Sequence, residues 1–525
     1  MTSRRIALAL SSLTSLAALT ACNPHPLKPT EFDGSSEAVT GLPLDVNKRV
    51  DVLLVVDNSG SMGEEQANLA ANFGPFIEEL EAVGADYRIG ITTTDLGGRN
   101  CVSESNGGDL ILSSCLDRPE TFVFGSDDQY AAACESHCAL SDAQLEIQPS
   151  ADDAGETAVR PWIESYNGVS NLPEGVDPLA AFQCFAPQGI SGCGWESPLE
   201  AMSQALENMH NPERPEYGFL RDDALLAILV ITDEADCSFN SAHSTALFDS
   251  EVFYSEGANY ATSAVCWNAG TACEGDSPYS SCIDVDRDES GAETDVAADA
   301  VLYPVSGYVE QLAAEAASKS AGREVLVSVI AGVPLDYAGG ELVYADDPDA
   351  DQQELFGIGP GCSNTVGDTV QTAIPPVRLK TFAEAFAGDG VNLYSVCDDD
   401  YRPAVVDMVA SLIRELPPAC LDGCALDVDE STEALDYSCT VTQEVGSDRV
   451  TLPECEASGG EYVLPEGADA CWIAKSGDAL SEECMVAGRN LEFELVRRSG
   501  VSVPGDVEVK AACELSSFPS IDCPG

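Results

Sequence analysis

The chain has 525 residues, of which 90 are Asp or Glu and 24 are Lys or Arg, giving a formal net charge of −66 at pH 7. A field of that sign repels phosphate backbones and anionic lipid surfaces, which excludes nucleic acid as a partner and leaves divalent cations and basic surfaces. The length suffices for one large core plus a smaller domain, and the 21 cysteines fit an oxidising compartment, where an acidic coat also keeps an exported protein soluble.

At the start of the chain, Arg4 and Arg5 precede an apolar stretch from Ile6 to Thr20. This stretch is too short to span a bilayer and has the form of a secretory signal. It ends in Leu19, Thr20, Ala21 and Cys22, which resembles the bacterial lipobox. The resemblance implies a signal peptide over 1–21 and cleavage before Cys22. It further implies lipidation of Cys22, and so a membrane-anchored lipoprotein of the cell envelope. The outer membrane is the expected site, with the periplasmic or surface face left open. Ordinary signal cleavage, with Cys22 kept as a disulfide partner, is the alternative. Without Cys22 an even 20 cysteines remain, twelve before Pro417 and eight after Pro418, so both groups can close separately. Residues 22–48 read as the lipidated cysteine and a flexible tether, about 28 Å from end to end as a coil. A segment packed along the domain is the other reading.

From 49 to 416 strand and helix patterns alternate, which predicts an α/β domain with a mostly parallel central sheet. Residues 51–57 form an apolar, β-branched run that stops at Asp57, two residues before Ser59 and four before Ser61. A helical pattern of Leu69, Phe73, Phe76, Ile77 and Leu80 follows, then a strand from Tyr87 to Thr94. Between Leu96 and Pro198 the pattern is lost and six cysteines gather, which predicts a disulfide-braced insertion near 97–194. A buried strand, Leu225 to Ile231, ends in Thr232 and Asp233, and a second Cys-bearing insertion is expected near 237–300. Next come a helix from Val305 to Ser318, a strand from Val325 to Ala331 and a third insertion near 333–378. A helix near Leu379 to Phe386, a strand from Val391 to Val396 and a last helix from Ala404 to Leu416 complete the domain. Residues 417–525, with eight cysteines and alternating apolar stretches, predict a small Cys-rich, β-rich C-terminal domain.

Open α/β sheets bind ligands in the loops that leave the carboxyl ends of their strands. There the spacing of Asp57, Ser59 and Ser61 lets one tight loop turn a carboxylate and two hydroxyls toward one point, the kind of oxygen set that hard divalent cations take. Together with Thr232 and Asp233 after a later strand, these residues resemble a von Willebrand factor type A domain with a metal-ion-dependent adhesion site. The resemblance implies a Rossmann-like type A fold over 49–416, interrupted by the insertions. It makes Asp57, Ser59, Ser61 and Asp233 ligands of a divalent cation, Mg²⁺ foremost, with Ca²⁺ or Mn²⁺ as alternatives. It also implies a protein partner whose Asp or Glu side chain completes the coordination.

Two departures stand out. Glu234 occupies a position where the family usually has Gly, and the stretch from Ser191 that should supply a Thr contains none. Glu196 or Ser197 is the nearest oxygen donor there, and a capping role for Glu196 at the helix beginning near Pro198 is the alternative. A Glu among the ligands would partly neutralise the ion and favour Ca²⁺.

The sequence contains no HExxH, GxSxG or GxxxxGK motif, so a non-enzymatic protein is expected. Metal-dependent adhesion is the first expectation. A structural or assembly-scaffold envelope protein, in which metal and disulfides stabilise the fold, is the alternative. Loops on a rigid scaffold concentrate binding residues, which makes the insertions candidates for partner specificity. Asp286, Asp288 and Ser290 resemble the start of an EF-hand loop, but its required Glu is replaced by Ala297.

Overall fold

The computed structural model describes residues 35–36, 42–43, 49–82, 85–97, 107–151, 157–166, 169–319, 325–340, 342–366, 369–388, 390–405 and 408. In the C-terminal region it describes 419–429, 431–432, 434–445, 448–458, 461–465, 467–468, 470–497, 507–517 and 523. Seven strands form the central sheet: β1 (Arg49–Val56), β2 (Asp86–Thr93), β3 (Ile163–Tyr166), β4 (Val169–Ser170), β5 (Leu225–Ile231), β6 (Val325–Ala331) and β7 (Leu393–Ser395). Their order is β4-β3-β2-β1-β5-β6-β7. The five strands from β2 to β7 in that order run parallel, and β3 and β4 add an antiparallel edge.

Alternation along β1 explains the layers, because successive side chains leave a strand on opposite faces. Val52, Leu54 and Val56 pack with Phe73, Phe76, Ile77 and Phe182, under α1 (Gly63–Asn72), α2 (Gly74–Ala82) and α3 (Pro178–Phe185). Leu53 and Val55 pack on the other side with Leu199, Met202, Leu312 and Phe382, from α4 (Pro198–His210), α5 (Val305–Ser318) and α6 (Val377–Glu384). Helices on both faces bury every residue of β5, which is why that strand is a continuous apolar run. Asp51 in β1 is fully buried and accepts hydrogen bonds from Arg221 Nε and the Arg221 backbone N–H, both at 2.8 Å.

The helical pattern from Leu69 to Leu80 belongs to two helices. Gly74 and Pro75 follow Phe73, and a proline ring cannot continue a helix through the preceding turn. Residues 97–194 hold short elements and the bridges Cys115–Cys134 and Cys138–Cys184. They also supply β3, β4 and α3, and so belong in part to the central layers. Cys237–Cys266 and Cys273–Cys282 brace the region near 237–300, and Cys362–Cys397 ties the third insertion to the end of β7. The predicted helix over 404–416 lies mostly outside the described residues.

The C-terminal region is β-rich: β8 (Cys439–Val445), β9 (Asp448–Leu452), β10 (Ala470–Lys475), β11 (Glu492–Arg497) and β12 (Val507–Cys513) surround a core of Val441, Trp472 and Phe493. Its eight cysteines pair among themselves as Cys420–Cys484, Cys424–Cys523, Cys439–Cys513 and Cys455–Cys471. Two short pieces of the segment read as a tether also belong to it. Leu42–Pro43 pairs with β12 and Ser35–Ser36 pairs with Leu515–Ser516. Among the described residues no helix is long and apolar enough to cross a membrane.

Candidate metal centre

Sheet register assembles the site. Val56 lies beside Ile231 and Thr93, and Ile231 beside Ile330, so the next residues of three parallel strands stand in a row. Backbone bonds continue past the strand ends, with Asp57 N–H donating to the Ile231 carbonyl at 2.9 Å, Thr94 to Val56 at 3.2 Å and Thr232 to Ile330 at 3.1 Å. Asp57, Thr94 and Thr232 are thereby brought to one edge. Asp57 accepts from Thr232 Oγ1 at 2.5 Å on one carboxylate oxygen and from the Ser59 backbone N–H at 2.8 Å on the other. The Ser59 and Ser61 hydroxyls lie 3.2 Å apart, and Ser61 reaches the Asp233 carboxylate. Asp57 and Ser59 are buried while Ser61 is exposed, so the cluster opens to solvent at Ser61.

Of the two donors proposed for the second loop, Glu196 joins the cluster and Ser197 does not. The Ser197 hydroxyl donates to the Cys237 carbonyl at 2.6 Å. Nor does Glu196 cap the helix that follows, because the first amides of α4 bond to Asp236 Oδ1 and Ser238 Oγ at 3.3 and 2.9 Å.

Besides Asp95 and Asp236, which accept hydrogen bonds from the Gly97 and Cys193 amides and from Arg378, five buried carboxylates share this end of the sheet: Asp57, Glu65, Glu196, Asp233 and Glu234. Burial, followed by mutual repulsion, pushes Asp233 up to about 7 and Glu65 up to about 9. Glu196 and Glu234 are raised well above the usual range by burial and then by their acidic neighbours, Glu234 and Asp233 respectively. Asp57 is also raised by burial, against the hydrogen bonds from Thr232 and Ser59. Among the described residues none of the five forms a salt bridge. Asp233 Oδ1, Glu196 Oε1 and Glu65 Oε2 are buried without a hydrogen-bond partner, while the Thr94 hydroxyl lies against the Asp57 carboxylate. Buried oxygens left this way cost free energy unless something electropositive meets them. The donor set therefore fits a hard cation. Among the described residues no three His, Cys, Asp or Glu side chains converge as a complete metal shell, so such an ion would draw on hydroxyls and water as well.

The rest of the cradle comes from the insertions. Gln66 Nε2 donates to the carbonyls of Asp57 at 2.7 Å and Gly189 at 2.5 Å, while its Oε1 accepts from the amides of Gln188 and Gly189 at 2.7 and 2.8 Å. One side chain thus staples the Asp57 loop to residues 188–189. Gly192 continues the contact, its N–H bonding the Asn58 carbonyl at 2.7 Å, and a Cβ there would lie 2.3 Å from Asn58 Oδ1. Phe124, more than half exposed, covers Gly60 so closely that a Cβ would fall 2.6 Å from its ring. The third insertion bonds the Asp233 carbonyl through the Ile374 N–H at 2.8 Å.

Sequence reasoning passed over Thr94, Glu65 and Gln66. Gln66 had a signal, since it is the polar member of the stripe Met62, Gln66, Leu69, Phe73. Thr94 has its role only through strand register. The EF-hand-like stretch forms a turn closed on itself, with Asp288 Oδ1 accepting from the Ser290 and Ala292 amides at 2.8 and 3.2 Å.

Neither a protein-family model nor a curated protein sequence matches this chain. Among solved structures it is similar to the open conformation of the pilus adhesin SpaC from Lactobacillus rhamnosus GG. The match has a TM-score of 0.27 and 11% identity, over 89% of this chain and 38% of the adhesin. Another form of the same adhesin gives a TM-score of 0.26 and 10% identity, over 89% of this chain and 39% of the adhesin. The chain spans less than half the length of these structures.

Proposed function

We propose that this is a lipid-anchored envelope protein whose central α/β unit is a von Willebrand factor type A domain binding a protein partner through a divalent cation. The observation that carries the reading is the cluster of Asp57, Ser59, Ser61 and Asp233 at the carboxyl ends of parallel strands, with Asp233 Oδ1 buried and unbonded and Ser61 open to solvent. These four residues would hold the ion, Mg²⁺ foremost and Ca²⁺ or Mn²⁺ as alternatives. The ion supplies an electrophilic point at the mouth for a partner's Asp or Glu. This chain's part is to fix the oxygens beforehand, through Thr232 on Asp57 and Gln66 on the loop. Lipidated Cys22 would attach the protein to the membrane.

The test pairs metal and partner. Partner capture in Mg²⁺ should be lost in excess chelator and in Asp57→Ala; equal capture under all three conditions rejects the reading. Cys22→Ser should move the protein from the membrane fraction to the soluble fraction, and unchanged membrane association rejects the anchor.

A structural or assembly-scaffold role is the second reading, and Glu196 favours it. A buried carboxylate where the family has a neutral hydroxyl blunts the ion's pull on a partner. In that case metal would raise the unfolding temperature with no partner to be found.

A further inference from the structure

We infer that the hairpin over 123–128 selects the partner, taking a basic segment in which an apolar side chain stands beside the carboxylate that reaches the ion. The inference rests on the reading of that ion and adds the partner's chemistry to it.

Position is the first argument. The hairpin pairs Val123 with Asp128 and Phe124 with Asp127, around a turn in which Gly125 has a φ of +63°. Its root is fixed. Phe122 is fully buried in the cluster of Phe73, Phe76 and Phe182, and its carbonyl accepts from the Gln129 N–H at 2.9 Å. The Thr121 carbonyl accepts from the Ile190 N–H at 2.7 Å, and the Cys115–Cys134 bridge closes the stretch from both ends. The hairpin meets the ion's loop twice. The Phe124 ring lies on Gly60, between Ser59 and Ser61 in the chain, and Gln129 lies on Gly63, where a Cβ would fall 2.5 Å from its Cγ.

The second argument is what the braced hairpin leaves in water. Successive side chains of a strand point to opposite faces, yet Val123 and Phe124 are both exposed, at 42% and 56%. A slack loop would turn them inward, whereas this one holds them at the mouth beside the exposed Ser61. Covering a fixed aromatic ring next to a binding point removes apolar area from water, which is how interface anchors act. Charge is the third argument. Residues opposite each other in an antiparallel pair share a face, so Asp127 stands beside the Phe124 ring and Asp128 beside Val123. Both carboxylates are exposed, in a chain with a net charge of −66. That field draws Lys and Arg to the rim and repels acidic surfaces, a second copy of this chain included. The acid that reaches the ion therefore has to stand alone among basic and apolar neighbours.

The test uses the mature chain carrying Cys22→Ser and a cyclic peptide in which one Asp is flanked by Leu and then Lys on each side. Uptake of Mg²⁺, Ca²⁺ and Mn²⁺ is measured by calorimetry, and peptide binding by fluorescence anisotropy in the saturating ion. The peptide should bind, and should lose about tenfold or more in affinity with Ser in place of Leu, Gln in place of Lys or Asn in place of Asp. Phe124→Ser should weaken the Leu peptide by a similar factor while leaving the Ser peptide and ion uptake unchanged, and Phe124→Leu should restore most of the loss. Asp127→Asn with Asp128→Asn should weaken the Lys peptide alone and flatten its salt dependence. Equal affinity in wild type and Phe124→Ser overturns the inference, as does an equal loss for the Leu and Ser peptides. A wild type that takes up an ion but binds no peptide also overturns it and leaves the ion's site standing. Ion-dependent self-association that is lost in Phe124→Ser overturns it too, because a second copy would then be the occupant. No uptake of any of the three ions overturns the reading of the ion and this inference with it.

Discussion

Asp233 and Glu65 give the metal-free protein a pH dependence of fixed sign. In the fold they hold their protons up to about 7 and about 9, against 3.8 and 4.5 for the same groups in an open chain. The folded state therefore binds protons more tightly than the unfolded state. The stability this contributes is complete below about pH 4 and is lost as pH rises through the two folded values. In chelator, the unfolding temperature should fall between about pH 5 and pH 9, and saturating divalent cation should flatten the fall by taking the place of the protons. Asp233→Asn should remove part of the slope while leaving the contribution of the acidic surface. A metal-free melting temperature that rises over the same window would contradict this account. Gln66 is the other residue whose loss should be felt. Gln66→Ala leaves the amides of Gln188 and Gly189 without their acceptor, which should cost roughly 1–3 kcal/mol in denaturant unfolding. A change below about 0.5 kcal/mol would show that water replaces the side chain there.

Among the elements, what was legible in the sequence followed from burial. Leu225–Ile231, Val325–Ala331 and Val305–Ser318 have the bounds expected of them, because strands covered on both faces and a helix with a regular apolar stripe carry unbroken patterns. The edge strands Ile163–Tyr166 and Val169–Ser170 were not legible. They are short, and they lie among cysteines and turns whose pattern is set by disulfides. The candidate metal centre divides in the same way. Asp57, Ser59, Ser61 and Asp233 carry a local spacing, whereas Thr94 and Glu65 reach the cluster only through register and helix placement. Asp51 is the element-scale counterpart at the opposite end of β1, a buried charge whose neutraliser, Arg221, lies 170 residues away. Removing one partner of such a pair strands the other, so Arg221→Met should cost about 3–5 kcal/mol, and Asp51→Asn with Arg221→Met should recover part of that loss. Equal losses in the single and double variants would mean that the pair is not coupled.

Across the whole molecule, nine bridges with both cysteines described hold segments that never cross between the central and C-terminal regions. Backbone pairing does join the segment before the central domain to the C-terminal region, as Leu42–Pro43 extends the sheet of β12, β8 and β9. Starting the chain at Lys48 instead of Asn23 should therefore raise amide exchange in 507–513 and leave Leu225–Ile231 protected. Unchanged exchange in 507–513 would show that the pairing carries no weight.

That pairing also has a consequence in time. Synthesis from the N-terminus delivers Leu42 and Pro43 long before their partners Ala511 and Lys510. The early strand waits for the intervening residues before it can close, while the bridges Cys439–Cys513 and Cys424–Cys523 form beside it. A molecule cut short anywhere before 510 leaves Leu42 and Pro43 without their partners, so synthesis through 511 is written into the fold as the condition for closing that pairing.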